Sequence, residues 1–329
     1  MAAQATIAIH GGAGTISRSA IGADQEKEYH AALASVLLAG QRILEQDGSA
    51  IDAVTEAVRL LEECPLFNAG KGSVFTADGT HELDASIMDG ASLAAGAVAG
   101  TKRIRNPVLV ARTIMEQGEY VMLCGEGAER FATQQGFDLV EPGHFHTDAR
   151  HEQWLRACER QGMALLDHDA ATLAAQSRAA DTGDEPPLDP ERKMGTVGAV
   201  ALDLHGNLAA AASTGGITNK RVGRIGDTPV IGAGCYANNK TAAVAATGTG
   251  EAFMRAVAAF DIAAQIEYAG RSLIDAAEYV VMKKLPEIGG RGGLIAVDAQ
   301  GNLTLPFNTE GMYRGYARIG QTPVTLIYR

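Results

Sequence analysis

The stretch Arg192–Lys220, RKMGTVGAVALDLHGNLAAAASTGGITNK, decides the fold. Two runs of small and branched apolar residues flank a Gly206-Asn207 turn, which predicts an antiparallel ribbon with strands over Thr196–Leu204 and Leu208–Ser213. The ribbon starts abruptly. Before it, over about 167–193, the chain reads DHDAATLAAQSRAADTGDEPPLDPERK, which is polar, proline-containing and poor in residues to bury, the composition of a flexible tether. A buried strand that opens on Gly195-Thr196 directly after a tether singles out Thr196.

A threonine hydroxyl is a poor nucleophile because some base must take its proton. At the first position of a chain it carries that base itself, since an α-amine has a pKa of about 8 and lies within one residue's reach of Oγ1. The β-branch also restricts χ1 and so fixes the aim of the hydroxyl. This chemistry requires the bond before Thr196 to be cut, and Gly195 adds no side chain to crowd the scissile carbonyl. The same residues also describe an ordinary strand threonine after a loop, and residue chemistry alone does not choose between the two.

Three further groups suit such a nucleophile. Thr247-Gly248-Thr249-Gly250 closes a predicted strand and opens a predicted helix, where hydroxyls and amides can donate to a developing oxyanion. Thr214, at the far end of the ribbon, falls near Thr196. The loop Arg224-Ile225-Gly226-Asp227 sets a guanidinium three residues from a carboxylate, a pair able to hold an amino acid by its α-carboxylate and α-ammonium, although Arg221 competes for that role.

Other signals are weaker. Ile231–Ala237, IGAGCYA, fits a dinucleotide fingerprint through Gly232-Ala233-Gly234 and would suggest an oxidoreductase, but a strand-like run follows where a helix is required. His144, His146 and His151 lie close together without acidic or cysteine partners at ligand spacing, so a solvated loop is the expectation. Cys124-Gly125 lacks a histidine base.

Around these motifs the hydrophobic periodicity predicts a strand at Thr6–Ile9 leading into His10–Gly14, and helices over Asp24–Gln46 and from a Ser49 cap through Leu61. It predicts a hairpin of Val74–Thr80 with Glu82–Met88 about an Asp78-Gly79 turn, and a strand at Leu93–Gly100. Helices are expected at Pro107–Gln117, Gly127–Gln135 and Asp148–Gln161. Strands then follow at Thr228–Tyr236, Thr241–Thr247 and Leu294–Val297, with helices over Glu251–Phe260 and Leu273–Lys284, and a strand-like tail at Thr304–Pro306 and Thr322–Tyr328. Helices come in blocks and most strands in hairpins, which favours an α+β fold of antiparallel sheets covered by helices, with the tether inside one domain of 329 residues. A formal charge of −11 argues against nucleic acid or an anionic membrane as partner. No run reaches the ~20 apolar residues of a membrane span, and no secretory leader is expected. The four cysteines, Cys64, Cys124, Cys158 and Cys235, are scattered as in a reducing compartment, so a cytoplasmic protein is the expectation.

Taken together, GTVGAVALD, ASTGGITNK, GRIGDTP, GAGCYANN, TGTGE and PFNTEGMYR resemble the plant-type asparaginases, also called isoaspartyl peptidases, which are N-terminal-nucleophile hydrolases. IHGGAG and CPLFNAGKGSVFTADGTHELDASIMDG extend the resemblance over nearly the whole chain. It implies a four-layer αββα sandwich, cut at Gly195–Thr196 into an α chain of Met1–Gly195 and a β chain of Thr196–Arg329 that pair as (αβ)₂. It implies Thr196 as nucleophile, Thr214 as its support, and Thr247 and Gly248 as the oxyanion hole. Thr249 and Gly250 would complete the pocket wall, Arg224 and Asp227 would be the substrate clamp, and Asn68 would assist the cut. It implies no organic cofactor but a structural Na⁺ held by main-chain carbonyls of Leu61, Glu62, Cys64, Phe67, Ala69 and Lys71. The implied activity is hydrolysis of L-asparagine and β-aspartyl dipeptides through an acyl-enzyme. Aspartylglucosaminidase-like hydrolases are the near alternative, though they carry His-Asp before the nucleophile where this chain has Lys193-Met194-Gly195. A scaffold that is never cut is a more distant one.

Overall fold

The computed structural model describes residues 4–16, 22–161 and 195–329. The tether lies outside the described residues. Eight strands form the larger sheet: β1 (Thr6–Gly14), β2 (Leu83–Asp89), β3 (Ala95–Thr101), β4 (Met122–Cys124), β5 (Val197–Leu202), β6 (Leu208–Thr214), β11 (Gly311–Arg318) and β12 (Val324–Tyr328). Their spatial order is β12-β11-β1-β5-β6-β2-β3-β4. The smaller sheet holds β7 (Cys235–Ala237), β8 (Ala242–Gly248), β9 (Gly292–Asp298) and β10 (Leu303–Thr304), in the order β10-β9-β8-β7. The ribbon pairs as the sequence predicts, Val197 opposite Ser213 and Leu202 opposite Leu208.

Strand alternation sorts the side chains into layers. Ile7 and Ile9 of β1 face outward onto Leu33 and Leu37 of α1 (Ala23–Glu45) and Ala57 and Val58 of α2 (Ala50–Glu63), in a core shared with α3 (Pro107–Gln117) and α4 (Gly125–Gln134). Ala8 of the same strand faces inward, into a second core between the sheets that is rich in alanine, including Ala210, Ala212, Ala243 and Ala245. A third core joins the smaller sheet to α6 (Gly250–Ala256), α7 (Ala258–Ala269) and α8 (Leu273–Tyr279) through Phe253, Ile262 and Ala276. Helix, sheet, sheet and helix thus stack as the expected αββα sandwich. Ser49 caps α2, its hydroxyl accepting the Asp52 N–H at 3.1 Å. Beyond α4, α5 (Asp148–Gln161) closes the first half of the chain.

Several elements differ from the sequence reading. Val74–Thr80 is no hairpin arm: its turn forms, with Gly79 N–H on the Thr76 carbonyl at 3.0 Å, but β2 pairs with β3 and β6 instead. The alternation there marks residues buried one by one in a packed loop, not a ladder. Most of Thr228–Tyr236 is also a loop. Pro229 removes a donor, Gly232 takes a positive φ of 92°, and the Val230 and Gly234 amides both fold back onto the Asp227 carbonyl, at 3.0 and 3.1 Å. The helix expected over Glu251–Phe260 breaks at Val257, whose φ of 48° separates α6 from α7. The Leu273–Lys284 helix continues through a π-turn at Val280–Lys284 to a final turn, α9 (Leu285–Glu287). Two strands escape the sequence reading: β11, whose residues GMYRGYAR carry both glycine and charge, and the short β4, which is parallel to β3.

Gly96 of β3 lies directly under α3, where an added Cβ would collide with the Ala111 carbonyl oxygen. Gly96→Ala is expected to destabilise the fold by about 1–3 kcal/mol, read as a lower urea midpoint at unchanged slope.

Candidate active site

The β5–β6 register carries Thr196, the residue before β5, to the side of Thr214, and Thr214 in turn pairs with Asp84 of β2. Thr196 is buried at 7 % exposure, so its hydroxyl meets a small set of partners and little bulk water. That hydroxyl donates to Thr214 Oγ1 at 3.2 Å, and Thr214 Oγ1 also accepts the Gly216 N–H at 3.0 Å. The hydroxyl of Thr228 stands on another side of Thr196 Oγ1 at 3.3 Å. Sequence reasoning missed Thr228. It follows Asp227 in a loop, and nothing in its spacing marks it.

Asn68 lies against the Gly195–Thr196 bond. A Cβ on Gly195 would sit 2.6 Å from Asn68 Cβ, so only glycine fits there without displacing Asn68. The asparagine is fixed at both ends, with Nδ2 donating to the Gly216 carbonyl at 2.7 Å and Oδ1 accepting the Val74 N–H at 2.9 Å. Its own carbonyl accepts the Gly215 N–H at 3.1 Å, so Asn68 also holds the turn after Thr214.

The cleft at Thr196 is lined by Thr214, Arg224, Asp227, Thr228 and Gly248, with Ile217 also reaching it. Gly248 ends β8 of the smaller sheet, and a Cβ there would strike the Arg291 carbonyl. Thr247 is fully buried and its Oγ1 has no hydrogen-bond partner, which leaves it free to donate. Thr249 and Gly250 stand behind this wall. The Thr249 N–H is engaged by the Arg291 carbonyl at 2.8 Å, and a Cβ on Gly250 would lie 2.8 Å from Arg224 Nη2. The following α6 is only seven residues long, so the end of β8 positions the donors, not a helix field.

Arg224 is largely buried and pairs in a fork with Glu251, Nε to Oε1 at 2.9 Å and Nη2 to Oε2 at 3.0 Å. Arg221 is exposed and stays out of the cleft, which removes it as a rival. Ile225 is 38 % exposed and contributes no wall to the cleft, whereas Gly226 does. Asp227 is buried with Oδ2 unpartnered, and burial pushes its carboxyl up to about 7 despite the neighbouring Arg224. An arginine beside a buried, under-satisfied carboxylate provides an anion site and a cation site side by side.

Among the described residues no other group rivals this constellation. His10 pairs with Gly198 two residues from Thr196, but burial lowers its pKa to about 3 and keeps it neutral. His146 and His151 pack against Phe75, at 5.6 and 5.7 Å between ring centres, and do not stand in open solvent as a group. Among the described residues no cluster of histidine, cysteine, aspartate or glutamate is arranged to hold a metal. Gly232-Ala233-Gly234 lies in a turn, and β7 with β8 follows it, so the helix a dinucleotide needs is absent among the described residues.

The turn after α2 has another character. The Leu61, Glu62 and Cys64 carbonyls accept the amides of Cys64, Lys71 and Phe67, each leaving a lone pair spare. Gly70 and Gly72, with positive φ of 48° and 95°, let the carbonyls of Glu62, Pro65 and Phe67 crowd in where side chains would stand. Such a set of hard oxygens fits a monovalent cation.

The family profile described as Asparaginase matches residues 3–327. This chain belongs to that asparaginase family. It is 59 % identical over 326 residues to an isoaspartyl peptidase of Escherichia coli, covering 99 % of this chain and 97 % of that protein. It is 54 % identical to a putative isoaspartyl peptidase/L-asparaginase of Dictyostelium discoideum, over 96 % of this chain and 94 % of the relative. A probable isoaspartyl peptidase/L-asparaginase of Arabidopsis thaliana is 40 % identical, over 94 % and 95 % of the two chains. The resemblance read from the motifs is therefore a relationship across the whole asparaginase fold.

The raised carboxyl of Asp227 sets a pH dependence. Above about 7 it is a carboxylate able to accept an ammonium group, and below that it is protonated and neutral. Binding of a small amino acid such as L-aspartate, followed by calorimetry, is expected to weaken roughly fivefold from pH 7 to pH 6. Asp227→Asn is expected to flatten that dependence.

Proposed function

We propose that the chain is a self-cleaving threonine hydrolase that releases L-aspartate from β-aspartyl dipeptides and L-asparagine. The observation that carries this is the seating of Thr196 Oγ1 between the hydroxyls of Thr214 and Thr228, in a cleft that also presents Arg224, Asp227 and Gly248. Cutting the Gly195–Thr196 bond would yield chains of Met1–Gly195 and Thr196–Arg329, and would free the amine that serves as base. Asn68, packed on Gly195, would steady the bond for that cut.

In the mature site Arg224 takes the α-carboxylate of the aspartyl group and Asp227 its α-ammonium, which aims the side-chain carbonyl at Thr196. The Thr196 amine accepts the hydroxyl proton as Oγ1 attacks. The oxyanion is met by the Thr247 hydroxyl and the backbone at Gly248. Collapse expels ammonia or a peptide amine, which leaves with the proton, and water then hydrolyses the ester. The carbonyl-rich turn at Leu61, Glu62, Cys64, Phe67, Ala69 and Lys71 would hold Na⁺, which screens converging oxygens and stiffens the segment that carries Asn68. Two copies of the cut unit are proposed to assemble as (αβ)₂. The four unpaired cysteines favour the cytoplasm.

Intact-mass analysis after incubation for a day is expected to show two fragments that part at Gly195/Thr196, with Thr196→Ala remaining one chain and releasing no aspartate from β-aspartyl dipeptides. A wild-type chain that stays whole and inert would defeat the reading. For the cation, the melting temperature is expected to be higher in sodium chloride than in choline chloride of equal ionic strength.

A further inference from the structure

One hydroxyl carries one proton. Thr196 directs its proton at Thr214, so the 3.3 Å contact with Thr228 is a donation from Thr228 to Thr196 Oγ1. The donor is held in place. Thr228 is 1 % exposed, and its carbonyl accepts the Ser86 hydroxyl of β2 at 2.5 Å. Behind it, Gly234 packs so closely that a Cβ would come within 2.9 Å of Thr228 Cα. The residue is therefore tied to both sheets, through Ser86 of one and through the loop that enters β7 of the other.

We propose that Thr228 is a second catalytic hydroxyl, whose task is to stabilise Thr196 Oγ1 as the leaving group when the acyl-enzyme breaks down. The inference rests on the threonine-hydrolase reading above. Once Oγ1 is acylated it is an ester oxygen without a proton, and it can no longer donate to Thr214. Water adds to the ester carbonyl and gives a proton to the Thr196 amine. The tetrahedral centre then collapses, the carbon–Oγ1 bond breaks, and its electron pair passes to Oγ1. That oxygen recovers its proton from the α-ammonium while the Thr228 hydroxyl donates to it throughout. The self-cleavage reaction passes through an ester on the same oxygen and draws on the same donor. Ser86 is a positioning residue for this hydroxyl.

The test compares Thr228→Val and Thr228→Ser with wild type on a β-aspartyl dipeptide, by steady-state kinetics and intact mass of rapidly quenched samples. Thr228→Val is expected to lower kcat on the order of 10²-fold and KM with it, while a Thr196–Arg329 fragment heavier by one aspartyl group accumulates. Thr228→Ser is expected to stay within about threefold of wild type. If the valine variant is not cut but the serine variant is, the proposal stands for the first ester. Should Thr228→Val melt below the assay temperature, Thr228→Cys, a weaker donor of serine's shape, is expected to show a larger loss than the serine variant in the same two readouts. Turnover at the wild-type rate in the valine variant, equal losses in valine and serine variants, or a loss without acylated fragment would each overturn it. A wild-type protein that is neither cut nor active would instead defeat the underlying hydrolase reading.

Discussion

The narrow gap between the two sheets is the constraint on which the site depends. Alanine is its commonest buried residue, and at Gly198 the space closes further, with Ala245 Cβ 2.9 Å from where a side chain would begin and the His10 ring closer still. Larger side chains at Gly198 or at the alanines would force the sheets apart there. Thr196 leads into β5 of the larger sheet and Gly248 closes β8 of the smaller, so both line one cleft only because the sheets lie this near. The high alanine and glycine content is thus tied to chemistry as much as to packing. It also explains why substitutions that add volume between the sheets would act on the site without touching any residue in it.

Polar groups in this gap are arranged in incomplete sets. Asp227 Oδ2 and Thr247 Oγ1 are buried without partners, a cost of about 1–3 kcal/mol each that a folded protein rarely bears without use. Asp227 lines the cleft beside Arg224, and Thr247 directly precedes Gly248, which lines it too. Arg224 differs, because Glu251 already occupies one edge of its guanidinium and holds its direction. The site is thereby preorganised in part and unsatisfied in part, a combination suited to binding charge that develops during reaction.

Much of this was legible in the residues themselves. The ribbon around Gly206-Asn207, the Ser49 cap and the helix over Pro107–Gln117 follow from local periodicity and turn chemistry, and the structure keeps them. The loop over Thr228–Tyr236 defeats the same logic. Its apolar residues are buried by neighbours from distant parts of the chain, so burial there carries no strand period. Thr228 itself became visible only through tertiary contact, because a hydroxyl in a turn has no pattern to betray it. Thr249, Gly250 and Ile225 sit beside the right motif but behind or outside the cleft, since adjacency in sequence does not fix which way a residue faces. The missed strand β11 alternates poorly because both of its faces are covered.

The order of strands in the larger sheet has one more consequence. β1, from the first segment, is flanked by β5 and β11 from the second, while β6 of the second abuts β2 of the first. Asp203 adds a tie, its carboxylate accepting the Ala50 N–H at 3.1 Å across the same divide. The outer core under α1–α4 and the core between the sheets each draw on both segments, and only the third core, under α6–α8, lies within the second alone. A molecule cut before Thr196 therefore behaves as two interlaced polypeptides that share one cooperative unit, and separating them is the same event as unfolding them. Dilution would not part them, and the pieces made apart would have to find each other before either could fold.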